Sequence, residues 1–471
     1  MRYYFTSQQI RDAEAPLLAS LPDGVLMRRA AFGLATAIAG ELGSVAGRSV
    51  CAVVGSGDNG GDALWAATLL RRRGAGASAV LLNPERAHPQ ALAAFRRAGG
   101  QTVETVPAAT DLVIDGVVGI SGSGPLRPNA AEVFAAVEQA GIPVVAVDLP
   151  SGVDVHTGAA EGAHVTPVLT VTFGGLKPVH ALGRCGRVQL VDIGLELPAS
   201  EVMGFDAADV AARWPVPGRS DDKYTQGVTG VMAGSSTYPG AAILCTGAAV
   251  AAHSGMVRYA GSAAGEVVSH WPEVIATPSH AGAGRVQAWA VGPGLGTDEA
   301  GAAALCFALE SDLPVVVDAD GLTMLAVHPE LVADRQAPTV LTPHAGEFAR
   351  LAGSPPGDDR IGDTRRLANR FGATVLLKGN VTVIAEPDSG PVYLNVAGNS
   401  WAATAGSGDV LTGVIGAMLA AGLPPGEAAA VAAFVHARAA EASAGDPGPA
   451  PAPTSASRIL AHLRTALGPI P

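Results

Sequence analysis

The sequence predicts an α/β protein of two domains, each built on a mainly parallel sheet flanked by helices. Three observations lead there. Short, β-branched apolar runs alternate with helix-length segments along most of the 471 residues, the pattern of successive βαβ units. These runs are apolar at nearly every position, as in strands covered on both faces. The alternation breaks once, at AARWPVPGRSDDKY (211–224), where two prolines, a glycine and a charged cluster read as a linker. The boundary is therefore expected between domains 1–215 and 216–471, a length that suits two domains of roughly 100–200 residues or slightly more.

In the first half, strands are expected at 50–54 (VCAVV), 77–82, 111–118, 144–147, 168–173 and 188–193. A helix is expected over 63–73, its basic last turn suited to a helix C-terminus. In the second half, strands are expected at 230–233, 286–291, 314–317, 339–341, 374–377 and 381–385, the last two as a hairpin-like pair. An apolar helix is expected over 410–421, and the Pro/Ala/Gly-rich 445–456 reads as a loose segment before a last short helix. No period of 20–50 residues marks a solenoid.

Composition narrows the function. Lys+Arg 30 against Asp+Glu 42 leaves a net charge of −12, which opposes broad binding to nucleic acid or anionic membrane. No nucleic-acid or membrane partner is expected, and any bound phosphate must be held locally, by backbone N–H groups or a few lysines. With 48% hydrophobic and 15% charged residues the chain can build packed cores. Its 60 glycines and 34 prolines make about a fifth of the chain, against a usual ~12%, and imply many tight turns and close backbone approaches. Cys51, Cys185, Cys245 and Cys306 form no CxxC or His/Cys cluster, so free thiols are expected rather than zinc or disulfides. The start, MRYYFTSQQIRDAE, has no apolar signal core, and no segment reaches the roughly 20 apolar residues of a membrane span. The expected location is the cytoplasm.

Four loops of the first half carry chemistry. GSGDNGGD (55–62) directly follows a strand and opens a helix. Its glycines admit a ligand close to the backbone, and a helix N-terminus offers unpaired N–H groups to an anion. It is neither a Rossmann GxGxxG with an acidic ribose ligand nor a P-loop. DGVVGISGSGP (115–125), VDLPSGVDVHTG (147–158) and TFGGLKPVH (172–180) lie at other strand ends, where open α/β sheets hold their ligand crevice. The four should converge on one cleft. Asn59, Asp115 and Ser151 offer hard oxygens to a cation; Asp148 is an acid–base candidate and Lys177 its charge partner. Taken singly, each Asp is more often a turn residue or a cap.

In this order, over about residues 5–200, the motifs resemble those of the YjeF N-terminal domain, the NAD(P)H-hydrate epimerase family: NNGGDG, DAxxGxG, VDIPSGxDxxTG and TFGxxKP. The sequence departs at Asp58 (usually Asn), Ala63 (usually Gly) and Gly116 (usually Ala). The resemblance implies a Rossmann-like three-layer sandwich. It implies that the hydrated nucleotide is bound by Asp58, Asn59, Gly60, Gly61 and Asp62, by Gly119, Ile120, Ser121, Gly122, Ser123, Gly124 and Pro125, and by Asp148, which is also catalytic. Potassium is implied at Asn59, Asp115 and Ser151.

In the second half, NSWAATAGSGDVLTG (399–413) places Gly406-Ser407-Gly408-Asp409 at the opening of an apolar helix. Glycines and helix N-terminus form an anion hole for a phosphate in transfer, and Asp409 can take a proton from a substrate hydroxyl. The plain alternative is Asp409 as a helix N-cap. Companion segments are KYTQGVTGVMAGSSTYPGA (223–241), VGPGLG (291–296), VVDADGL (316–322) with two acids at a strand end, LTPHAGEFARL (341–351), and LLKGNVTVIAEP (376–387), where Lys378 is placed to meet phosphate.

Together these segments, over about 223–440, resemble the ribokinase-like NAD(P)H-hydrate dehydratase family, with motifs KYxxG, GSxxYxGA, GPGxG, DADAL, LTPHPGE, LKGxxTxI and AxGG(T/S)GDVLTG. Departures are Gly321, Ala345, Ala405 and Trp401. The resemblance implies a hydrate site lined by Ala241, Gly294, His344 and Asp409, and an ADP site at Lys378, Gly379, Asn380, Val381, Thr382 and Gly408. The implied activity is twofold: epimerisation of R and S hydrates of NADH and NADPH, and dehydration of the S form at the expense of ADP, giving AMP and phosphate. Magnesium is expected with ADP, and a homo-oligomer is expected. The competing reading is a ribokinase-type small-molecule kinase with a regulatory nucleotide-binding domain, which the GSGD loop by itself equally fits.

Overall fold

A computed structural model describes residues 1–467 apart from 121, 123, 253, 254 and 334. The chain divides into two compact units, Tyr3–Ser200 and Glu201 onward, the latter taking Met1 and Arg2.

Among the described residues, the first unit has a seven-stranded, wholly parallel sheet. Its order is Gln101–Val103, Gly76–Leu81, Ser49–Val54, Leu112–Gly116, Val144–Val147, Leu169–Phe173, Arg187–Val191. Alternate residues of the central strand face opposite sides. Val50, Ala52 and Val54 pack with helices Val25–Leu42 and Asp58–Arg72, while Cys51 and Val53 pack with helix Pro128–Gln139. This is the three-layer sandwich expected. From Ser49–Val54 the chain winds outward to Gln101–Val103, then returns beside it as Leu112–Gly116 and winds the other way. A crevice opens at such a reversal, outside the strands' carboxyl ends, and there lie the loops after Val54 and Gly116.

The second unit runs Val392–Val396, Val381–Ala385, Thr374–Leu377, Thr339–Leu341, Val315–Val317, Ala288–Val291, Val228–Met232, Met256–Ala260, Ile275–Thr277. It is parallel from Thr374–Leu377 to Ile275–Thr277, and the pair around 378–380 is the expected antiparallel hairpin. Helix Ser407–Ala420 is buried at every position from Val410 to Ala420, as suits a helix apolar all round. Gly413 lets it touch helix Pro239–Ala251, since a Cβ there would stand 2.1 Å from the Cys245 carbonyl oxygen.

Two expectations need correction. The division falls after Ser200, not at 215/216. Strand Val202–Gly204 pairs in parallel with Val392 and Tyr393, and Val210 of helix Ala207–Arg213 is fully buried in the second core. The Pro/Gly-rich stretch is thus a surface turn inside the second unit. Strands Met256–Ala260, Ile275–Thr277 and Val392–Val396 were not expected: the first carries Arg258, the second has three residues at a sheet edge, and the third ends in polar Asn395 and exposed Val396. All four cysteines are free. No helix among the described residues is long and apolar enough to cross a membrane.

Candidate active sites

In the first unit, the loops after Val54, Gly116, Val147 and Phe173 converge. Asp115 is completely buried at the end of its strand. Its carboxylate accepts hydrogen bonds from Ser151 N (2.9 Å), Ser151 Oγ (2.7 Å) and Val117 N (3.2 Å), and Ser151 Oγ in turn accepts from Val118 N (3.0 Å). Asn59 Nδ2 donates to the carbonyls of Val118 (3.0 Å) and Val147 (2.7 Å). Asn59, Asp115 and Ser151 thus tie three loops together, as expected. Burial pushes the Asp115 carboxyl up to about 6, against the hydrogen bonds from Ser151 and Val117. Among the described residues its partners are Ser151 and Val117 rather than a cationic side chain, so the site suits a small cation. Gly119 must be glycine here: a Cβ would stand 2.3 Å from Asn59 Oδ1.

Asp148 sits at φ +67°, rare for a residue with a Cβ. Its carboxylate takes the buried Lys177 ammonium and Thr172 Oγ1 (2.9 Å), and Lys177 also donates to Thr172 Oγ1 (2.8 Å). Burial works most strongly against the charge, but Lys177, His180 and Thr172 together hold the carboxyl below its usual range. His180 accepts the Lys177 N–H on Nδ1 (2.8 Å), which assigns its proton to Nε2, 2.8 Å from the Asp148 carbonyl. Burial, and then the Lys177 charge, hold this imidazole down at about 4. Asp148 is therefore held ionised on a fixed mount. Thr172 and His180 stood in a quoted motif without an assigned role.

The remaining described residues of this set lie at the start of the helix that follows Val54 and on the loop after Gly116. Asp58 is the exposed first residue of helix Asp58–Arg72, where negative charge suits the helix N-terminus. Gly60 and Gly61 are buried against the Gly55 carbonyl and Met27. Asp62 is buried, and burial, then Asp148, raise its carboxyl well above the usual range. Gly122 N donates to Gly119 O (2.8 Å), and Gly124 has φ +77°. Ile120 and Pro125 lie in the same loop; Ser121 and Ser123 lie outside the described residues.

In the second unit, Gly406 (φ +81°) caps helix Ser407–Ala420, and Asp409 lies in the first turn without a capping bond. The N-cap alternative is thereby set aside. Ser407 is fixed by the buried His436, Oγ to Nε2 at 2.9 Å. A Cβ on Gly408 would stand 3.2 Å from Lys378 Nζ and 3.3 Å from Asp318 Oδ2, so Lys378 and Asp318 face the glycine hole directly. Asp318 Oδ1 takes Lys378 Nζ (2.6 Å) and its Oδ2 accepts from Thr412 Oγ1 (2.8 Å). Burial, then Asp318, push Asp409 up to about 7, with Lys378 pulling it down. Asp318 and Thr412 were not assigned as site residues; the paired acids of VVDADGL were the available signal.

Around this centre, Asn380 Nδ2 reaches Asn399 O (3.3 Å) and Ser400 Oγ (3.4 Å), and Thr382 Oγ1 reaches Gly379 O (3.3 Å). Lys378, Gly379, Asn380, Val381 and Thr382 thus form one turn beside the glycine loop. Gly294 (φ +62°) lies against Ala241, a Cβ there meeting the Ala241 Cβ at 2.8 Å. Asp320 accepts from Gly296 N (2.9 Å), joining VVDADGL to VGPGLG. His344 is 57% exposed and caps helix Ala345–Ala352, accepting from Gly346 N (2.9 Å) and Glu347 N (3.3 Å). Trp401 packs, partly buried, against the core of the unit.

A family profile described as YjeF-related protein N-terminus matches residues 23–179, and one described as NAD(P)H-hydrate dehydratase matches 229–462. The chain is 76% identical, over 474 residues and 100% of both chains, to a bifunctional NAD(P)H-hydrate repair enzyme of Mycobacterium tuberculosis. It is 39% identical to that of Corynebacterium glutamicum, over 89% of this chain and 87% of the relative. An ADP/ATP-dependent NAD(P)H-hydrate dehydratase of Bacillus subtilis, co-crystallised with ATP and Mg²⁺, has a TM-score of 0.50 at 30% identity, covering 57% of this chain and 100% of that one. A ribokinase-like superfamily protein of Enterococcus faecalis shares the fold, with a TM-score of 0.51 at 22% identity over 58% of this chain and 98% of that one. This chain belongs to the family of bifunctional NAD(P)H-hydrate repair enzymes, with an epimerase domain of YjeF N-terminal type and a ribokinase-like dehydratase domain.

Proposed function

We propose that the first domain interconverts the R and S hydrates of NADH and NADPH, and that the second dehydrates the S form at the expense of ADP, giving NAD(P)H, AMP and phosphate. A hydrated dihydronicotinamide carries its hydroxyl at C6, beside a ring nitrogen whose lone pair can expel it. In the first domain, Asp148, ionised and held by Lys177 and Thr172, moves the proton of that hydroxyl as the configuration changes. Potassium fits Asn59, Asp115 and Ser151, where it supplies the positive charge that the buried Asp115 carboxylate otherwise lacks.

The observation that carries the dehydratase reading is Asp409 in the first turn of a helix whose glycine hole faces Lys378 and Asp318. A carboxyl near 7 is a base matched to neutral pH. Asp409 takes the C6 hydroxyl proton as that oxygen accepts a phosphoryl group; the amides of Ser407 and Gly408 and the Lys378 ammonium receive the charge on the phosphoryl oxygens. Phosphate then leaves as the nitrogen lone pair forms an N=C6 bond, and loss of a C5 proton to solvent makes the C5=C6 bond and returns the pair to nitrogen, giving NAD(P)H. No group of three His, Cys, Asp or Glu side chains suited to a metal ion occurs among the described residues, so the fit is to magnesium carried on the nucleotide. Bound there, magnesium neutralises the transferring phosphates.

The test incubates the protein with hydrated NADH and ADP in magnesium and potassium and follows NADH absorbance, with AMP and phosphate read by chromatography. NADH and AMP should appear in equal amounts. Asp409→Asn should abolish both while the epimers still interconvert, and choline in place of potassium should slow only the epimerisation. A stable phosphorylated product without NADH would overturn the dehydratase reading.

A further inference from the structure

Helix Ser7–Ser20 is positioned on the turn that follows strand Leu169–Phe173. Gly175 permits the contact: a Cβ there would stand 2.8 Å from Ile10 Cδ1 and 2.9 Å from Phe5 Cδ2. Ile10 is fully buried, and the adjacent Arg11 donates to the Ile120 carbonyl (3.2 Å) in the loop after Gly116. One turn beyond Ile10, on the same face, comes Glu14. It lines a cavity of about 280 Å³ with Asp58, Asp62, His88 and Phe173. Asp62 is 7% exposed and its Oδ1 has no hydrogen-bond partner.

We propose that Glu14, on this covering helix, is a second acid–base residue of the epimerisation, working on the C6 hydroxyl alongside Asp148. The proposal rests on the epimerase reading above. Glu14 precedes the residues matched by the family profile, 23–179. The charged groups facing it are Asp148, Lys177, Asp58 and its own helix's Arg11, with Asp62, Asp23 and His88 around the cavity. Burial, then the Asp148 charge, raise the Glu14 carboxyl against the pull of Lys177, whereas Asp148 is held low despite its burial. Two carboxyls driven apart in this way provide one proton donor and one acceptor at the same pH.

The step balances. Glu14 gives its proton to the C6 hydroxyl as the C6–O bond breaks and the nitrogen lone pair forms an N=C6 bond, releasing water. Water adds to the other face of C6 as Asp148 takes its proton and the N=C6 pair returns to nitrogen. Solvent carries the proton from Asp148 back to Glu14, and nothing else is consumed.

The test uses the full chain and the purified R hydrate of NADH, with epimerisation followed by chromatography from pH 5 to 9. Glu14→Gln should lower the turnover rate by about 10²–10⁴-fold with little change in KM, and remove the high-pH limb of the profile. Glu14→Asp should restore part of the rate with the limb displaced. Dehydration of the S hydrate should be unchanged in both. A wild-type rate in Glu14→Gln, or a lower rate with the limb intact, overturns the inference. If Glu14→Gln loses dehydration as well, Glu14→Asp decides: an unmoved limb overturns it, a displaced limb supports it. A wild-type chain that interconverts the epimers no faster than buffer overturns the epimerase reading, and this inference with it.

Discussion

At Asp148 two unfavourable features coincide: a carboxylate taken out of water and a backbone at φ +67°. Lys177, itself 1% exposed, is what makes the first tolerable. Lys177→Met therefore leaves a buried carboxylate unpaired, which is destabilising by about 3–5 kcal/mol when one partner of a buried pair is removed. Asp148 then takes up a proton and ceases to be a base. We expect epimerisation to fall by about 10²-fold or more and dehydration by the same chain to persist below its lowered melting temperature. Equal loss of both activities in a folded variant would refute the assignment. In the other domain, Asp409 is raised to about 7 by burial and by Asp318. As it works in its ionised form, kcat/KM for NADH regeneration should rise with pH through about 7. Asp318→Asn removes a repulsive charge and frees Lys378, and both effects favour ionised Asp409. The limb should move to lower pH even as the rate falls; a limb that stays put in a pH–rate profile would argue against Asp409 as the base.

Between elements, a tight constraint at the first site is the contact of helix Asp58–Arg72 with strand Leu112–Gly116. A Cβ on Gly116 would stand 2.5 Å from the Ala63 Cβ and 2.9 Å from the Asn59 carbonyl oxygen. The family pattern has glycine in the helix and alanine in the strand; here the two are exchanged. Read along the chain they are two unrelated departures, 53 positions apart; across the contact they are one methyl group moved from strand to helix. Gly116→Ala should cost about 1–3 kcal/mol, as overpacking does, and adding Ala63→Gly should recover part of it, less about 1 kcal/mol for glycine inside a helix. Urea unfolding of both single variants and the double gives the coupling; simple additivity would refute the contact.

For the whole chain, the boundary is the testable matter. Phe205 packs edge-on to Tyr393 with ring centroids 5.2 Å apart, Arg213 pairs with Glu427 (2.9 Å) and Val210 is fully buried. A chain starting at Glu201 should therefore be more stable than one starting at residue 216. Burial of Val210 alone is worth about 1.5–3 kcal/mol, and 1 kcal/mol moves the melting temperature roughly 2–4 °C in a domain of this size, so a difference of roughly 3–12 °C is expected by calorimetry. Equal melting would restore the 215/216 boundary. Residues 201–213 were misplaced because their membership depends on what they touch, Tyr393 and Glu427, 188 and 214 positions away. By itself the sequence determined the α/β class, the strand–loop–helix order and the loops that carry the chemistry. Close approach to phosphate or a cation demands glycines, an aspartate and a helix start in consecutive positions, and such local demands are written locally. Only the tertiary structure decided the pairings. Asp318 meets Lys378 across 60 positions, Asp115 meets Ser151 across 36, and Ile10 on Gly175 brings Glu14 to the cleft. Each depends on neighbouring strands and packed helices, and burial between distant segments, which sets these protonation states, has no signature within either segment.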